Sequence, residues 1–209
     1  MTHPDIEILR EYGPFAEAGP VHGLTFDGRH VWFASDGQLN ALDPDSGRIV
    51  RVIEVAADAG TAFDGTHLYQ IAENRIQKID PDSGTVLSEI TLPASGCHSG
   101  LAWAEGSLWV GQHRDSRILQ VDPASGRILR TIACSRYVTG VSWVDGELWH
   151  GTWDEQGSDL RRVDPATGAL LAVLPVPADM TVSGLEGDGA GRFFCGGGDS
   201  GRVRAVRKP

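Results

Sequence analysis

Three histidines in this 209-residue sequence lie at the ends of short apolar runs, where side chains from distant segments can meet. They are His22, His98 and His113, and imidazole both transfers protons near neutral pH and binds Zn, Cu, Ni or Fe ions. Glu186 and Glu73 add carboxylates that can act as general acid or base. We therefore predict a catalytic set of Glu186, Glu73 and His98. We also predict a divalent transition metal held by His22, His98 and His113.

Four further side chains could bind a small polar substrate beside these groups. Trp153 offers an aromatic wall, and Arg114, Asp36 and Asp154 offer charges that fix the orientation of a ligand. A small-molecule pocket commonly combines a few polar groups with an apolar wall. Because these residues are far apart in the sequence, the prediction depends on repeated elements that bring them to one place.

Two turn motifs recur through the chain at regular spacing. Aspartate bonds the local backbone and glycine accepts a positive φ, so both motifs favour tight turns. The first motif is DPDSG at 43–47 and 80–84, DPASG at 122–126 and DPATG at 164–168. The second is an acidic residue followed by glycine, at 27–28, 64–65, 105–106, 145–146 and 188–189. A period of about 40 residues is typical of a repeat protein.

Each repeat contains four short runs rich in Val, Ile, Leu, Phe and Trp, as residues 23–55 illustrate. Runs of this length between turn motifs favour antiparallel strands. The repeats predict an all-β fold, a five-bladed β-propeller of four-stranded blades in a single domain, 1–209. A β-sandwich is the alternative, but it does not require turns in phase with a regular period. The predicted blades are about 20–56, 57–94, 95–135, 136–177 and 178–209, the last completed by 5–13.

The fifth repeat supplies three strands before the sequence reaches Pro209, which leaves one outer place in the last blade. An unpaired sheet edge is prone to association with other chains. The segment DIEILREYG at 5–13 has the pattern of the outer strand RIVRVIEV at 48–55. We therefore expect the N-terminal segment to pair with the C-terminal strands and close the ring.

Aligning the repeats places the candidate residues on one face of the ring, here called the top. Both turn motifs lie on the opposite, bottom face, so the connections between blades and the turns after each second strand lie on top. Variable loops on a regular scaffold commonly carry the binding site. Glu186 stands on the strand nearest the axis, where we expect it to face the channel. The other blades carry Thr25, Ala62, Ala102 and Ser142 at this position.

The composition is that of an ordinary globular protein, with 41% hydrophobic and 22% charged residues. A formal net charge of −10 argues against binding to nucleic acid, which requires clustered Lys and Arg. No apolar run reaches the length needed to cross a bilayer, and the N-terminus lacks the pattern of a signal peptide. We expect a cytoplasmic protein, a monomer or weak homo-oligomer, without membrane association.

Two further patterns bear on cofactors and redox state. The three cysteines Cys97, Cys134 and Cys195 cannot all pair and have no CxxC spacing, which favours free thiols. The GGGDSG segment at 196–201 lacks the strand-to-helix setting of a phosphate-binding loop, so we expect no nucleotide cofactor.

The segments HGLTFDG at 22–28 and LYQIAENRIQKIDPDSG at 68–84, with the closing N-terminal strand, resemble the plant-type glutaminyl cyclase (glutamine cyclotransferase) family. The resemblance extends over nearly the whole chain. More loosely, the chain is similar to the streptogramin B lyase and gluconolactonase-like propellers. The resemblance implies a five-bladed fold and an enzyme of lyase, cyclotransferase or hydrolase type.

The catalytic motifs of these families are only partly present. The VHGL segment at 21–24 matches the Gly23-Leu24 end of the TQGL-like motif that opens a blade in glutaminyl cyclases. In the gluconolactonase group a glutamate precedes the equivalent glycine and helps to bind calcium, whereas His22, Thr139 and Ser183 stand in such places here. The resemblance therefore implies the fold, and neither catalytic set.

Two functional hypotheses follow from the sequence. The first is an enzyme that acts on a small polar molecule at the top axial opening. The second is a propeller that binds a ligand or a protein there without chemistry. Histidines gathered on one face favour the enzyme, because a scaffold does not require them.

Overall fold

A computed structural model describes residues 6–15, 18–93 and 97–208. It contains 20 strands arranged as five four-stranded antiparallel sheets, and no helix in the described ranges. Consequently, the described part of the chain has no helix that could span a membrane. The three cysteines are free. The predicted all-β, five-bladed propeller is confirmed.

Each sheet is one blade, and its strands run in order from the axis outwards. Blade 1 consists of β2 (Leu24–Phe26), β3 (Val31–Ser35), β4 (Gln38–Asp43) and β5 (Arg48–Ile53). Blade 2 consists of β6 (Thr61–Phe63), β7 (Leu68–Ala72), β8 (Arg75–Ile79) and β9 (Val86–Thr91). Blade 3 consists of β10 (His98–Ala104), β11 (Ser107–Gln112), β12 (Arg117–Val121) and β13 (Ile128–Ala133). Blade 4 consists of β14 (Val138–Val144), β15 (Glu147–Asp154), β16 (Gly157–Val163) and β17 (Leu170–Pro175). Blade 5 consists of β18 (Gly184–Gly187), β19 (Arg192–Gly196), β20 (Val203–Arg207) and β1 (Ile8–Tyr12).

The N-terminal strand β1 closes the ring by pairing antiparallel with β20, as predicted. Opposite charges reinforce this pairing along its length. Glu11 forms ion pairs with Arg202 and, at 2.8 Å, with Arg204, and Glu7 pairs with Arg207 at 2.5 Å. The last blade is therefore assembled from both ends of the chain.

The bottom face is built from the two repeated turns. In the first DPDSG turn, the Asp43 carboxylate accepts the amide of Asp45 at 2.9 Å, and the Asp43 carbonyl accepts the amide of Gly47 at 2.8 Å. The Asp80, Asp122 and Asp164 turns repeat the carbonyl bond. These aspartates therefore hold the backbone of their own turns.

The core consists of wedges between neighbouring blades, filled by aromatic and aliphatic side chains. Tyr69 of blade 2 stacks on Trp103 of blade 3 with ring centroids 5.3 Å apart, and Trp109 stacks on Trp143 at 5.4 Å. This is the interblade packing that the aligned aromatic residues predict. Trp153 alone among the tryptophans is exposed, with 46% of its surface accessible.

Five glycines surround the axis at the top of the inner strands. They are Gly23, Gly60, Gly100, Gly140 and Gly184, one from each blade, and we call them the glycine ring. A Cβ atom on any of them would lie within 2.3 to 2.6 Å of the backbone of the next blade, and the series returns from Gly184 to blade 1. The backbones of adjacent blades therefore touch directly, and no other residue fits at these positions.

We expect deletion of residues 1–14 to expose the edge of β20 and to destabilise blade 5. The truncated protein should aggregate or melt at a clearly lower temperature, because an open edge pairs with other chains. Size-exclusion chromatography and thermal melting measure both effects. Adding a synthetic peptide of residues 6–15 should partly restore the melting temperature. A monomeric truncated protein with unchanged melting would contradict the closure.

Candidate functional site

The five inner strands leave a cavity of about 220 Å³ at the top of the axis, which we call the axial mouth. It lies above the glycine ring, and each blade contributes to it through the residues just before its glycine. Its lining residues are His22, Gly23, Asp58, Ala59, His98, Ser99, Thr139 and Ser183. The structure thus brings His22 and His98 together, as the repeat alignment predicts.

Two serine hydroxyls in the axial mouth are fixed by bonds to the following blade. Ser99 donates its hydroxyl to the carbonyl oxygen of Val138 at 2.8 Å. Ser183 donates to the carbonyl oxygen of Val21 at 2.5 Å and accepts the amide of Gly198 at 3.0 Å. Because both hydroxyl protons are donated to backbone carbonyl oxygens, these two serines can only accept hydrogen bonds from a ligand.

Thr139 occupies the same place in blade 4, but its hydroxyl has no partner among the described residues. The side chain is nevertheless buried, with only 9% of the residue exposed. An unsatisfied buried hydroxyl costs about 1–3 kcal/mol. The oxygen is enclosed and faces β15, since a Cβ atom on Gly151 would lie 2.6 Å from it, so the Thr139 hydroxyl is not open to the axial mouth.

The two histidines of the axial mouth differ in their hydrogen bonds. His98 donates from Nε2 to the carbonyl oxygen of Pro93 at 2.9 Å, since a carbonyl can only accept. Its Nδ1 faces the amide nitrogen of Gln112 at 3.5 Å, so the ring is held from both sides. The partly exposed His22 has no hydrogen bond through its imidazole within the described part of the chain. Of the two, only the His22 imidazole is not bound by the described part of the protein.

Asp58 is a mouth residue that the sequence interpretation missed. It stands two residues before Gly60, just as His98 stands two residues before Gly100. Aligning the repeats could therefore have predicted its position. One carboxylate oxygen of Asp58 accepts the backbone amide of Glu73 at 2.9 Å. The Glu73 side chain itself is 78% exposed and does not line the axial mouth.

Glu186 lies one layer below the glycine ring, on β18, and bridges blade 5 to both neighbouring blades. Thr25 of blade 1 donates its hydroxyl to one carboxyl oxygen at 2.9 Å, and Ser142 of blade 4 donates to the other at 2.7 Å. The amide of Gly187 adds a third bond at 2.8 Å. Glu186 thus stands on the innermost strand of blade 5, but it is not among the residues that line the axial mouth.

The surroundings of Glu186 change its acidity. The residue keeps some exposed surface, yet its carboxyl group is enclosed by the inner strands. Burial raises the pKa of Glu186 to about 7, and the bonds from Ser142, Gly187 and Thr25 offset only part of this effect. The group is therefore close to half protonated at neutral pH.

A second opening lies on the top face between blades 3 and 4, and we call it the lateral cleft. It has a volume of about 530 Å³, and the aromatic side chains of Tyr137 and Trp153 are half exposed in it. His113 separates it from the axial mouth, because its ring packs on Tyr137 at 4.9 Å and bonds the Val138 carbonyl oxygen at 3.1 Å. The lining residues are Ser116, Ser135, Arg136, Tyr137, Trp153, Asp154, Glu155 and Gln156.

Ion pairs that the sequence did not indicate hold the inner wall of the lateral cleft. Arg136 binds both carboxylate oxygens of Asp154 and reaches Asp159 at 2.5 Å. Arg161 also binds Asp159, with nitrogen–oxygen distances of 2.8 and 3.0 Å. Both arginines hold the pKa of Asp159 below its usual value against the opposing effect of burial. Asp154 is thus engaged by the protein itself rather than free for a substrate.

Two remaining candidates lie apart from the axial mouth. Asp36 forms a tight turn with Gly37, where both residues have positive φ, and its carboxylate accepts the amide of Gly19 at 2.8 Å. It therefore anchors the segment that leads from β1 into blade 1. Arg114 is exposed in the turn after β11. The nine candidate residues thus occupy the top face or the axis without forming one pocket.

The predicted metal ligands are not gathered in the structure. His22 and His98 line the axial mouth, whereas His113 lies outside it. No group of three or more His, Cys, Asp or Glu side chains in the described ranges could hold a metal ion. Binding of a transition metal stays a prediction without support from this arrangement.

Comparison with solved structures agrees with the architecture. A glutaminyl cyclase from Myxococcus xanthus matches over 98% of both chains with a TM-score of 0.79 and 20% identity. The chain has the fold of that glutaminyl cyclase. A component of the mitotic checkpoint complex matches over 90% of this chain and 63% of its own, with a TM-score of 0.56 and 16% identity. Hydrazine synthase from Kuenenia stuttgartiensis matches over 92% and 57%, with a TM-score of 0.55 and 18% identity.

The sequence itself matches no known family profile and no curated protein. At these identities the structural likeness shows the fold. The site must therefore be interpreted from its own residues.

We expect Glu186→Gln to change how stability depends on pH. The pKa of Glu186 is near 4.5 in the unfolded chain and about 7 in the folded protein, so below pH 4.5 the group is protonated in both. Between these two values the unfolded chain loses the proton while the folded protein retains it. Wild-type stability therefore falls across this window. The stability of the variant relative to wild type should rise by about 3 kcal/mol between pH 4.5 and 7.5.

Urea unfolding at a series of pH values measures this difference in the free energy of unfolding. Glu54→Gln, at an exposed site, is the matched control and should give a nearly constant difference. A constant difference for Glu186→Gln as well would show that the buried carboxyl group does not retain its proton.

Proposed function

We propose that this protein is an enzyme that converts a small polar substrate in the axial mouth, with His22 as the group that moves a proton. The observation that carries the proposal is the contrast within the cavity. The other imidazole and two hydroxyls are bound to the protein, whereas the His22 imidazole has no partner in the described ranges. Fixed groups orient a substrate, and an unbound imidazole can act as a general base.

The remaining mouth residues supply binding contacts in this proposal. Ser99 and Ser183 accept hydrogen bonds from donor groups of the substrate. Asp58 keeps one carboxylate oxygen that the Glu73 amide does not use, which suits a cationic or hydroxyl group. His98 is a positioning residue, because its bond to Pro93 fixes which ring nitrogen carries the proton.

Lyase, cyclotransferase and hydrolase reactions share one requirement, a base that removes a proton from carbon, an amine or water. A cavity of about 220 Å³ holds the reacting end of a molecule rather than a polymer segment. The fold likeness to a glutaminyl cyclase makes a glutaminyl substrate the first to test. There the amine would attack the side-chain amide carbon, and ammonia would leave after gaining a proton.

The predicted catalytic roles of Glu73 and Glu186 are not part of this proposal, because neither side chain lines the axial mouth. Trp153 can contribute an aromatic wall only to a substrate that extends into the lateral cleft, past His113. The reaction could instead be assisted by a metal ion. Metal analysis of protein purified without a nickel column tests this version of the proposal.

A propeller that binds without chemistry is the second candidate. The observation that favours it is the size of the lateral cleft, about 530 Å³, with two half-exposed aromatic side chains. Aromatic residues of this kind are enriched at binding surfaces. A ligand that binds in the lateral cleft and is recovered unchanged would support this candidate.

We expect His22→Asn to lower turnover by a factor of about 100 or more, the usual contribution of a general base. The assay measures ammonia release from a peptide with an N-terminal glutamine. It then measures conversion of small polar compounds that raise the melting temperature. The variant should keep the wild-type melting temperature, because the imidazole has no protein partner to lose.

His67→Asn is the matched control on the bottom face, where the ring lies 3.4 Å from the Asp64 carboxylate. It should leave turnover unchanged. Equal turnover in His22→Asn and wild type would contradict the role of His22. Loss of turnover in both variants would point to a general effect on the fold.

A further inference from the structure

The outermost strand of each blade pairs with only one neighbour. These strands are β5, β9, β13, β17 and β1, and each stands at the end of its sheet. About half of the backbone amide and carbonyl groups of an edge strand therefore point outwards. Such an edge can add a strand from another chain unless the sequence prevents it.

Charged side chains stand on four of these five edge strands. Arg48 and Arg51 stand on β5, and Glu89 stands on β9. Arg130 stands on β13, and β1 carries both Arg10 and Glu11. Strand β17 has the sequence LLAVLP and, alone among the five, contains no charged residue. The uncharged stretch continues on both sides, from Pro165 to Ala178.

The arginines on three outer strands have a partner that is missing beside β17. An outer-strand arginine in three blades bonds the carbonyl groups of the DP turn in the next blade: Arg10 reaches Pro44 at 2.8 Å, Arg51 reaches Asp82, and Arg130 reaches Pro165. The position equivalent to these arginines in β17 is Ala172, as its pairing with Arg162 shows.

In the other blades a DP turn joins the third strand to the outermost strand. Blade 5 has no such turn, because its third and outermost strands, β20 and β1, come from opposite ends of the chain. A groove of about 440 Å³ remains there, lined by Asp145, Glu147, Trp149, Arg162, Ala172, Leu174 and Lys208. The charged groups of this groove pair with one another, Lys208 with Asp145 and Arg162 with Glu147. The groove therefore presents little net charge beside the uncharged strand.

We propose that β17 is a dimerisation edge, on which β17 of a second copy pairs antiparallel about a twofold axis. A strand that meets its own copy antiparallel presents the same residues on both sides, so the contact is self-complementary. The formal net charge of −10 makes two copies repel, and they can approach most closely where both surfaces are uncharged. A partner of opposite charge would instead be recognised by charged residues, which β17 lacks.

Apolar side chains supply the remaining contact. Leu170 and Leu171 are exposed by 50% and 53%, although one face of β17 packs on the core through Leu174. Pairing would cover both leucines and satisfy the outward backbone groups of β17 and of its copy. A single added strand pair buries less surface than a standard interface, so the dimer should be weak.

The test is sedimentation velocity of the full chain at concentrations from about 1 to 500 µM, a range in which weak dimers dissociate. Wild type should shift from monomer to dimer across this range. Leu171→Lys should raise the dissociation constant at least about tenfold, because it would place a positive charge on each of the two paired strands. Leu129→Lys is the matched control, since Leu129 holds the equivalent position on β13 and is exposed by 46%.

A second measurement locates the contact in wild type. Amide hydrogen exchange should slow with increasing concentration in β17 and not in β5, β9 or β13. A wild-type monomer at the highest concentration would overturn the proposal. A dimer unaffected by Leu171→Lys, or equally weakened by Leu129→Lys, would also overturn it, as would protection confined to another strand.

Discussion

Direct backbone contact around the axis is the constraint on which the rest of this structure depends. The five glycines of the glycine ring allow each inner strand to touch the next, and the last of them, Gly184, meets the backbone at His22 and closes the circle. This close contact determines where the aromatic side chains pack. Because the inner strands touch at the axis, Trp and Tyr fit only between the blades at a greater distance from it. The closing strand β1 completes the same ring from outside.

The candidate site is a consequence of that ring. Because a glycine occupies each contact, the residue before it is carried to the rim of the axis, and the five rim residues form the axial mouth together with Asp58 and His98. The ring also separates two chemical layers. Above it, the His22 imidazole is open to a ligand, whereas Glu186 below it is bound by the protein and has a pKa raised by burial to about 7.

The sequence predicted the fold well and the site in part, for physical reasons. Turn chemistry and strand patterns are local, so the period of DPDSG and acidic-glycine turns sufficed to predict five blades and the closing strand. The alignment also placed His22 and His98 together, since both precede ring glycines. It could not show that His113 lies outside the axial mouth or that Arg136 engages Asp154, because those outcomes depend on side-chain directions between blades. Asp58 was missed although its offset from Gly60 matched that of His98.

The most direct test of the account is the stability of Gly140→Ala compared with Gly146→Ala, measured by urea unfolding. A Cβ on Gly140 would lie 2.5 Å from the amide nitrogen of Leu185 in the next blade, whereas Gly146, in the turn of the same hairpin, has a φ of +77° and open space around it. The account predicts a loss of about 3 kcal/mol or more for Gly140→Ala, from overpacking at the axis. Gly146→Ala should lose only about 1 kcal/mol, from its left-handed backbone. Equal losses in the two variants would contradict the claim that backbone contact at the axis holds the ring together.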